Sequence, residues 1–158
     1  MDKDISFVIT MLNNVIDILK EKEYGNNVYT TNSTDNFTYN GNIRDQIIEE
    51  AKKLIGKPYK YGADGPDEFD CSGFVQYVYK KVGLIPANNP DTNSTGMREW
   101  GQPTTCPRKG DLLCYNGHVA IYLDENTIIH ASSGSKRIII ASKNIGKPIL
   151  AIRNLVGD

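Results

Sequence analysis

Hydrophobic residues recur at helical spacing in three segments of the chain, each time along one face of the predicted helix. The first segment covers residues 4–22, the second begins after Asn42, a residue type that caps helix starts, and the third follows residue 71. The apolar positions are, in turn, Ile5, Val8, Ile9, Leu12, Val15, Ile16 and Leu19; Ile47, Ile48, Ala51, Leu54 and Ile55; and Phe74, Val75, Val78 and Val82. Gly56 and Gly83 are placed to end the second and third helices.

The chain after residue 110 has the pattern of strands instead. Asn116-Gly117 separates the first two strand segments, and this dipeptide supplies the positive φ angles that a tight two-residue turn requires. Before these strand segments, the sequence predicts a short helix that is capped by Asn93 or Ser94 and runs through Arg98 and Trp100. The strand segments are residues 111–115, 118–123, 127–131, 136–141 and 149–153. Helices followed by a strand meander predict an α+β fold, with helices packed on one face of an antiparallel sheet.

Residues 25–42 interrupt this pattern with a segment rich in Asn and Thr, which predicts a solvated linker or irregular loop. The sequence therefore predicts two parts: an N-terminal helix and linker over residues 1–42, and a compact domain over residues 43–158. Asp2 and Asp4 are unlike the basic start of a signal peptide, and no cleavage site of small residues follows. We expect the helix at residues 4–22 to dock on the domain or on a protein partner.

Length and charge exclude several classes of protein. A chain of 158 residues can bury one sizeable core. Its net charge of −1 gives no basic surface for nucleic acid or an anionic membrane. No apolar run is long enough to predict a membrane span.

Cys71 lies at the first turn of the third predicted helix, after a run of turn residues. The unpaired N–H groups and the positive end of the helix dipole favour a thiolate there, which predicts a lowered thiol pKa and a reactive cysteine. Position alone leaves open the alternative of a small, buried, inert cysteine.

The other two cysteines, Cys106 and Cys114, make an odd total of three, which argues against a disulfide scaffold. Their spacing leaves a disulfide between them open. A zinc site formed by these two cysteines with His118 and His130 is an alternative, but the spacing matches no compact zinc motif. The sequence predicts neither a metal nor another cofactor.

His118 and His130, the only histidines, start one predicted strand and end the next. A three-residue turn between these strands would pair Leu123 with Thr127 and place both imidazoles on one sheet face, about 7–8 Å apart at Cα. A two- or four-residue turn would separate them to opposite faces. A nucleophilic cysteine, a histidine base and a third group that orients the base form an acyl-transfer site.

Five segments between residues 47 and 153 resemble the NlpC family of bacterial cell-wall cysteine peptidases, which have a papain-like α+β fold. The matching segments are GKPYKYG at residues 56–62, FDCSGFV at 69–75, KGDLL at 109–113, GHVAIY at 117–122 and IHA at 129–131. They occur in the order found in the family. Ala63, where the family often has glycine, and Cys114, where an aromatic residue is common, are departures that leave these motifs intact.

The resemblance implies a catalytic triad of Cys71, His118 and His130, with Tyr59 stabilising the oxyanion. It further implies that Asp70 and Ser72 bind the amine and backbone of a peptide substrate. The family cleaves stem peptides of peptidoglycan, often between D-glutamate and the diamino acid, so we expect this chain to act at the bacterial cell wall. Without a recognisable signal peptide, it would belong to a larger protein or reach the wall through a phage-type system.

Two alternatives remain at the level of the sequence. One is a binding or scaffold module that kept the fold without the activity, although all three triad residues are present. The other is an amidase of the related CHAP type, which also uses Cys and His; the Asp-Cys-Ser-Gly-Phe context favours the peptidase.

Overall fold

The computed structural model describes residues 28–30, 38–40 and 42–157. The chain divides into two compact units, Met1–Ile43 and Arg44–Asp158. The helix predicted at residues 4–22 lies outside the described residues, so the proposed N-terminal helix and linker stay a prediction. Among the described residues, no helix has both the length and the apolar character needed to cross a membrane.

In the first unit, two short strands pair antiparallel: β1 (Val28–Thr30) and β2 (Thr38–Asn40), with Tyr29 opposite Tyr39. The prediction of an irregular loop over residues 25–42 is wrong at these positions. The β-branched and aromatic residues at these positions favour extended backbone. The prediction missed this preference because it used the Asn and Thr content of the whole segment.

Helix α1 (Ile43–Lys53) opens the second unit and buries Ile47, Ile48 and Ala51 as predicted. Leu54, just beyond its end, is buried too, but Ile55 is 43% exposed, so its predicted burial is wrong. The helix ends at Lys53 and residues 54–56 form a turn, which directs Ile55 away from the helical face. Arg44 at the start of α1 forms a buried ion pair with Asp111, at 2.7 Å between Nη1 and Oδ1.

Helix α2 (Cys71–Lys81) begins at the predicted residue and packs against two strands of the sheet, His118–Tyr122 and Thr127–Ser132. Its apolar face, including Phe74, Val75 and Val78, is fully buried. A single 3₁₀ turn, Gly96–Glu99, occupies the place of the predicted short helix, and Asn93 Oδ1 accepts a hydrogen bond from the Gly96 N–H at 2.9 Å.

The sheet has six antiparallel strands in the order β3-β8-β4-β5-β6-β7. These strands are β3 (Gln102–Pro103), β4 (Leu112–Tyr115), β5 (His118–Tyr122), β6 (Thr127–Ser132), β7 (Arg137–Ser142) and β8 (Ile149–Asn154). All five strand segments predicted from the sequence are present, and the prediction of an α+β fold with helices on one face of an antiparallel sheet is confirmed.

Two short connections fix the relative positions of β4, β5 and β6. Tyr115 pairs with His118 across the two-residue turn, where Gly117 has a φ of +70°. Ile121 pairs with Ile129, and the Leu123 N–H donates to the Thr127 carbonyl at 3.1 Å. This is the register of the three-residue turn, which brings the two histidines to one face.

Candidate active site

Cys71 is the first residue of α2 and is half-buried. The preceding Asp70 has extended backbone and caps the helix, since its Oδ1 accepts a hydrogen bond from the Gly73 N–H at 2.7 Å. The Cys71 sulfur lies near β5, since the backbone N–H of Val119 acts to lower the pKa of the thiol. Val119 directly follows His118, so the thiol is held beside the strand segment that carries the predicted base.

The pKa of the Cys71 thiol is raised above its ordinary value, chiefly by burial. The Val119 N–H opposes this, Asp70 adds to it, and the backbone N–H groups of Ser72 and Cys71 oppose it. The N–H donors at the helix start thus lower the pKa of the Cys71 thiol, as predicted. The predicted net lowering of this pKa is nevertheless wrong, because burial destabilises the thiolate by more than these donors stabilise it. The resting residue is therefore a thiol that needs a base to ionise it.

His118 and His130 have the geometry of such a base and of a group that orients it. His118 Nε2 and His130 Nδ1 are 2.8 Å apart, and the two rings meet edge to face with centroids separated by 5.0 Å. Because Nε2 of His118 is occupied by this hydrogen bond, Nδ1 is the nitrogen left to take a proton. A basic Nδ1 requires the proton on Nε2, which then donates to His130.

Burial lowers the pKa of both histidines. For His118 the pKa falls from 6.5 to about 4, owing first to burial, then to the charge of His130 and then to that of Lys147. His118 is consequently neutral at pH 7, the form in which an imidazole can accept the thiol proton.

Tyr59 lies on the loop before α2, and its N–H donates to the Lys136 carbonyl at 2.9 Å. Its pKa is raised by burial and then by the charges of Cys71 and Asp70, which places its side chain near the nucleophile. A raised pKa keeps the phenol protonated at pH 7, so Tyr59 can donate a hydrogen bond to an anion formed beside Cys71.

Asp70 and Ser72, predicted to bind substrate, are bonded to each other: Ser72 Oγ donates to Asp70 Oδ1 at 3.2 Å. Asp70 Oδ2 also accepts the Gly62 N–H at 3.0 Å, so both carboxylate oxygens have partners within the protein. Both residues line a pocket of about 230 Å³, and residues 91–93 form another part of its wall.

The remaining cysteines are separate from this site. Cys106 is exposed and Cys114 is buried on β4, where burial raises its pKa to about 11. All three cysteines are free thiols, so Cys106 and Cys114 do not form a disulfide in this structure. Across the described part of the chain, no three His, Cys, Asp or Glu side chains are grouped as a metal site would need.

Two contributors to the site were not identified from the sequence. Lys147 donates from Nζ to the Asn116 carbonyl at 3.0 Å, which brings its charge close to His118. Gln76, buried on α2, bonds to the backbone of Thr92 in the pocket wall. Neither residue lies in a recognisable motif, and each acts through a contact made by the folded chain.

The chain is similar to bacterial endopeptidases in sequence. Residues 56–149 match the model of the NlpC/P60 family. A relative named probable endopeptidase p60, from Listeria grayi, is 35% identical over 124 residues, covering 68% of this chain and 24% of the relative. Probable peptidoglycan endopeptidase LytE from Bacillus subtilis is 30% identical over 109 residues, covering 65% of this chain and 31% of the relative. The chain thus spans about a quarter to a third of the length of these relatives.

Solved structures of the same family have a similar fold. The NlpC/p60 domain of the peptidoglycan hydrolase SagA is 28% identical with a TM-score of 0.57, covering 70% of this chain and 97% of that one. RipD from Mycobacterium tuberculosis, described as a non-catalytic NlpC/p60 domain protein adapted to peptidoglycan binding, is 26% identical with a TM-score of 0.59, covering 72% of this chain and 97% of that one. With a family match over more than half of its residues, this chain belongs to the NlpC/P60 family.

Proposed function

We propose that this protein hydrolyses an amide bond in the stem peptide of peptidoglycan, with Cys71 as the nucleophile. The observation that carries the proposal is the 2.8 Å contact between His118 Nε2 and His130 Nδ1. His118 starts β5, and the N–H of the next residue, Val119, acts to lower the pKa of the Cys71 thiol. The relatives named as peptidoglycan endopeptidases support peptidoglycan as the substrate.

The reaction begins when the Cys71 thiol passes its proton to Nδ1 of His118 as the sulfur attacks the scissile carbonyl carbon. The carbonyl oxygen becomes an oxyanion, which Tyr59 stabilises through its hydroxyl and Cys71 through its backbone N–H. The tetrahedral intermediate collapses when His118 returns the proton to the departing nitrogen. The C–N bond breaks, an amine leaves, and a thioester joins the acyl group to Cys71.

Water completes the reaction. His118 takes a proton from the water molecule whose oxygen attacks the thioester carbonyl, and then returns that proton to the Cys71 sulfur as the C–S bond breaks. The products are a carboxylate and the free thiol. Throughout both steps His130 holds the His118 ring and keeps its Nδ1 available to exchange the proton.

We assign the cleaved bond to the one between D-glutamate and the diamino acid, a bond that the family which the sequence resembles often cleaves. Asp70 and Ser72 would contact the amine and backbone of the peptide from the wall of the 230 Å³ pocket. The protein would act at the bacterial cell wall, and the N-terminal segment would dock on the domain or on a protein partner.

The second candidate is a peptidoglycan-binding module without activity, as RipD is described to be. The presence of Cys71, His118 and His130, with the histidines in direct contact, favours catalysis over this alternative. An amidase of the CHAP type would use the same residues but would release whole stem peptides from the glycan.

Mass spectrometry of muropeptides after digestion with the purified protein distinguishes the three. The proposal predicts fragments that end in a D-glutamate carboxylate together with fragments that begin with a free diamino acid, and neither with Cys71→Ala. Intact stem peptides freed from glycan would identify an amidase. Unchanged muropeptides, with protein that sediments with the wall, would identify a binding module.

A further inference from the structure

Gln76 is a polar side chain in the apolar face of the nucleophile helix, and the catalytic steps above do not use it. It is only 3% exposed, one turn after Ser72. A buried amide is costly unless its donors and acceptor are bonded, so the partners of Gln76 indicate what it holds in place.

Those partners lie in the pocket wall. Gln76 Nε2 donates to the Thr92 carbonyl at 3.0 Å, and Gln76 Oε1 accepts the Thr92 N–H at 3.2 Å. The same Nε2 donates to the Ser72 carbonyl at 3.3 Å. One amide therefore joins both backbone groups of Thr92 to the first turn of α2, in the way that a neighbouring strand would.

The position of residues 91–93 affects the shape of the pocket in which we expect the substrate to bind. Asp70 and Ser72, the residues flanking Cys71 in the chain, line the 230 Å³ pocket together with residues 91–93 and with Gln76 itself. Outside the Gln76 clamp, the wall has one weak side-chain tie to α2, an exposed pair between Asp91 and Lys80 at 3.5 Å. Gln76 is thus the main polar connection between this wall and α2.

We propose that Gln76 is a positioning residue, which sets the width of the substrate pocket by clamping Thr92 to the nucleophile helix. Its hydrogen bonds go to Ser72 and Thr92 and not to the thiol or to either histidine. Its loss should therefore weaken peptide binding and leave the chemical step almost unchanged. The inference rests on the proposed function only in taking a stem peptide as the ligand of this pocket.

Gln76→Met removes the hydrogen bonds and keeps the length of the side chain. We expect KM for a stem peptide to rise about tenfold, with kcat within a factor of about two. The matched control is Gln102→Met, the same change at an exposed position on β3, which should leave both constants unchanged. In a Cys71→Ala background, Kd for the uncleaved peptide should rise by the same factor as KM.

Gln76→Glu should make KM depend on pH, an effect that a general loss of stability would not produce. A protonated Glu retains one donor and one acceptor for Thr92, whereas a carboxylate would face the Thr92 and Ser72 carbonyls. Burial raises the pKa of the introduced carboxyl, so the ratio of its KM to the wild-type KM should approach one at low pH and increase with pH. This variant also serves if Gln76→Met does not fold.

A KM ratio that stays at one for both Gln76 variants, or a loss confined to kcat, would overturn the inference. Failure of the proposed function would look different, because wild-type protein would then leave muropeptides uncut. In that event the Kd comparison in the Cys71→Ala background still decides whether Gln76 shapes the pocket, and equal Kd values with and without Gln76→Met would reject it.

Discussion

His118 and His130 have the same side chain but unequal positions. His118 starts β5 next to Val119, whose N–H acts to lower the pKa of the Cys71 thiol, and its Nε2 is hydrogen-bonded to His130. His130 lies on the neighbouring strand β6, with its Nδ1 2.8 Å from that nitrogen. The geometry therefore assigns proton exchange to His118 and orientation to His130.

His118→Gln should lower kcat/KM for a stem peptide by roughly 10²–10⁴-fold, because an amide cannot exchange the proton. His130→Gln should retain a measurable fraction of activity, since a glutamine carbonyl can still accept the bond from Nε2 of His118. Circular dichroism would first establish that both variants are folded. Greater damage from His130→Gln would reverse the two roles.

The pKa of His118 also makes stability depend on pH. Folding lowers this pKa from 6.5 to about 4, so the unfolded chain binds more protons between those values. The free energy of unfolding should therefore fall as pH drops from 6.5 to 4, by on the order of 3 kcal/mol from this residue. Urea unfolding at both pH values would measure the change.

The matched control is His118→Gln, which removes the titrating group and should flatten the pH dependence, leaving the smaller contribution of His130 in the same direction. If wild type and variant lost equal stability between pH 6.5 and 4, His118 would not be buried in its neutral form, and the account of the base would be wrong.

At the scale of elements, a feature could be predicted from the sequence when the residues that form it lie close together along the chain. Three predicted features depend on residues close together in the chain, and the structure contains each of them. They are helix α2, the Asn116-Gly117 hairpin and the strand register that places the two histidines side by side. The contact of Val119 with Cys71 depends instead on how α2 docks on the sheet. The predicted thiol pKa was wrong for the same reason, since the helix start is visible in the sequence but the burial is not.

One prediction concerns how much the N-terminal cap of helix α2 contributes to stability. Asp70→Ala should reduce the free energy of unfolding by about 1–2 kcal/mol, because the Gly73 N–H loses its acceptor and Gly62 and Ser72 lose their partner. Asp70→Asn keeps a capping oxygen and should cost less. Thermal unfolding of both variants gives these values.

Kinetics of Asp70→Asn separate capping from substrate binding. If Asp70 also pairs with the amine of the peptide, this variant should raise KM, and N-acetylating the wild-type substrate should have a similar effect. A KM unaffected by both changes would leave Asp70 with the structural role alone.

At the scale of the whole molecule, every proposed catalytic residue lies within the unit Arg44–Asp158. The Arg44–Asp111 pair ties the first helix of this unit to the start of β4, and both partners are buried. A truncation should therefore keep Arg44, because losing it would leave the Asp111 charge buried without its ion-pair partner.

Deleting residues 1–40 should accordingly leave kcat/KM within a few-fold of the full chain, because the deletion removes only the segment proposed to dock on the domain or on a partner. Peptide hydrolysis by the folded truncation is the measurement, with a truncation that also removes Arg44 as the destabilised comparison. A folded protein without activity after the shorter deletion would show that the N-terminal segment shapes the site.

The central claim is that Cys71 is the nucleophile, and a comparison of the three cysteines in one peptide-hydrolysis assay tests it most directly. Cys71→Ala should abolish turnover in a folded protein. Cys106→Ser, at an exposed position, and Cys114→Ala, which adds no polar group to the buried site on β4, should retain it. Turnover by Cys71→Ala, or its loss in either of the other variants while the fold is intact, would contradict the account.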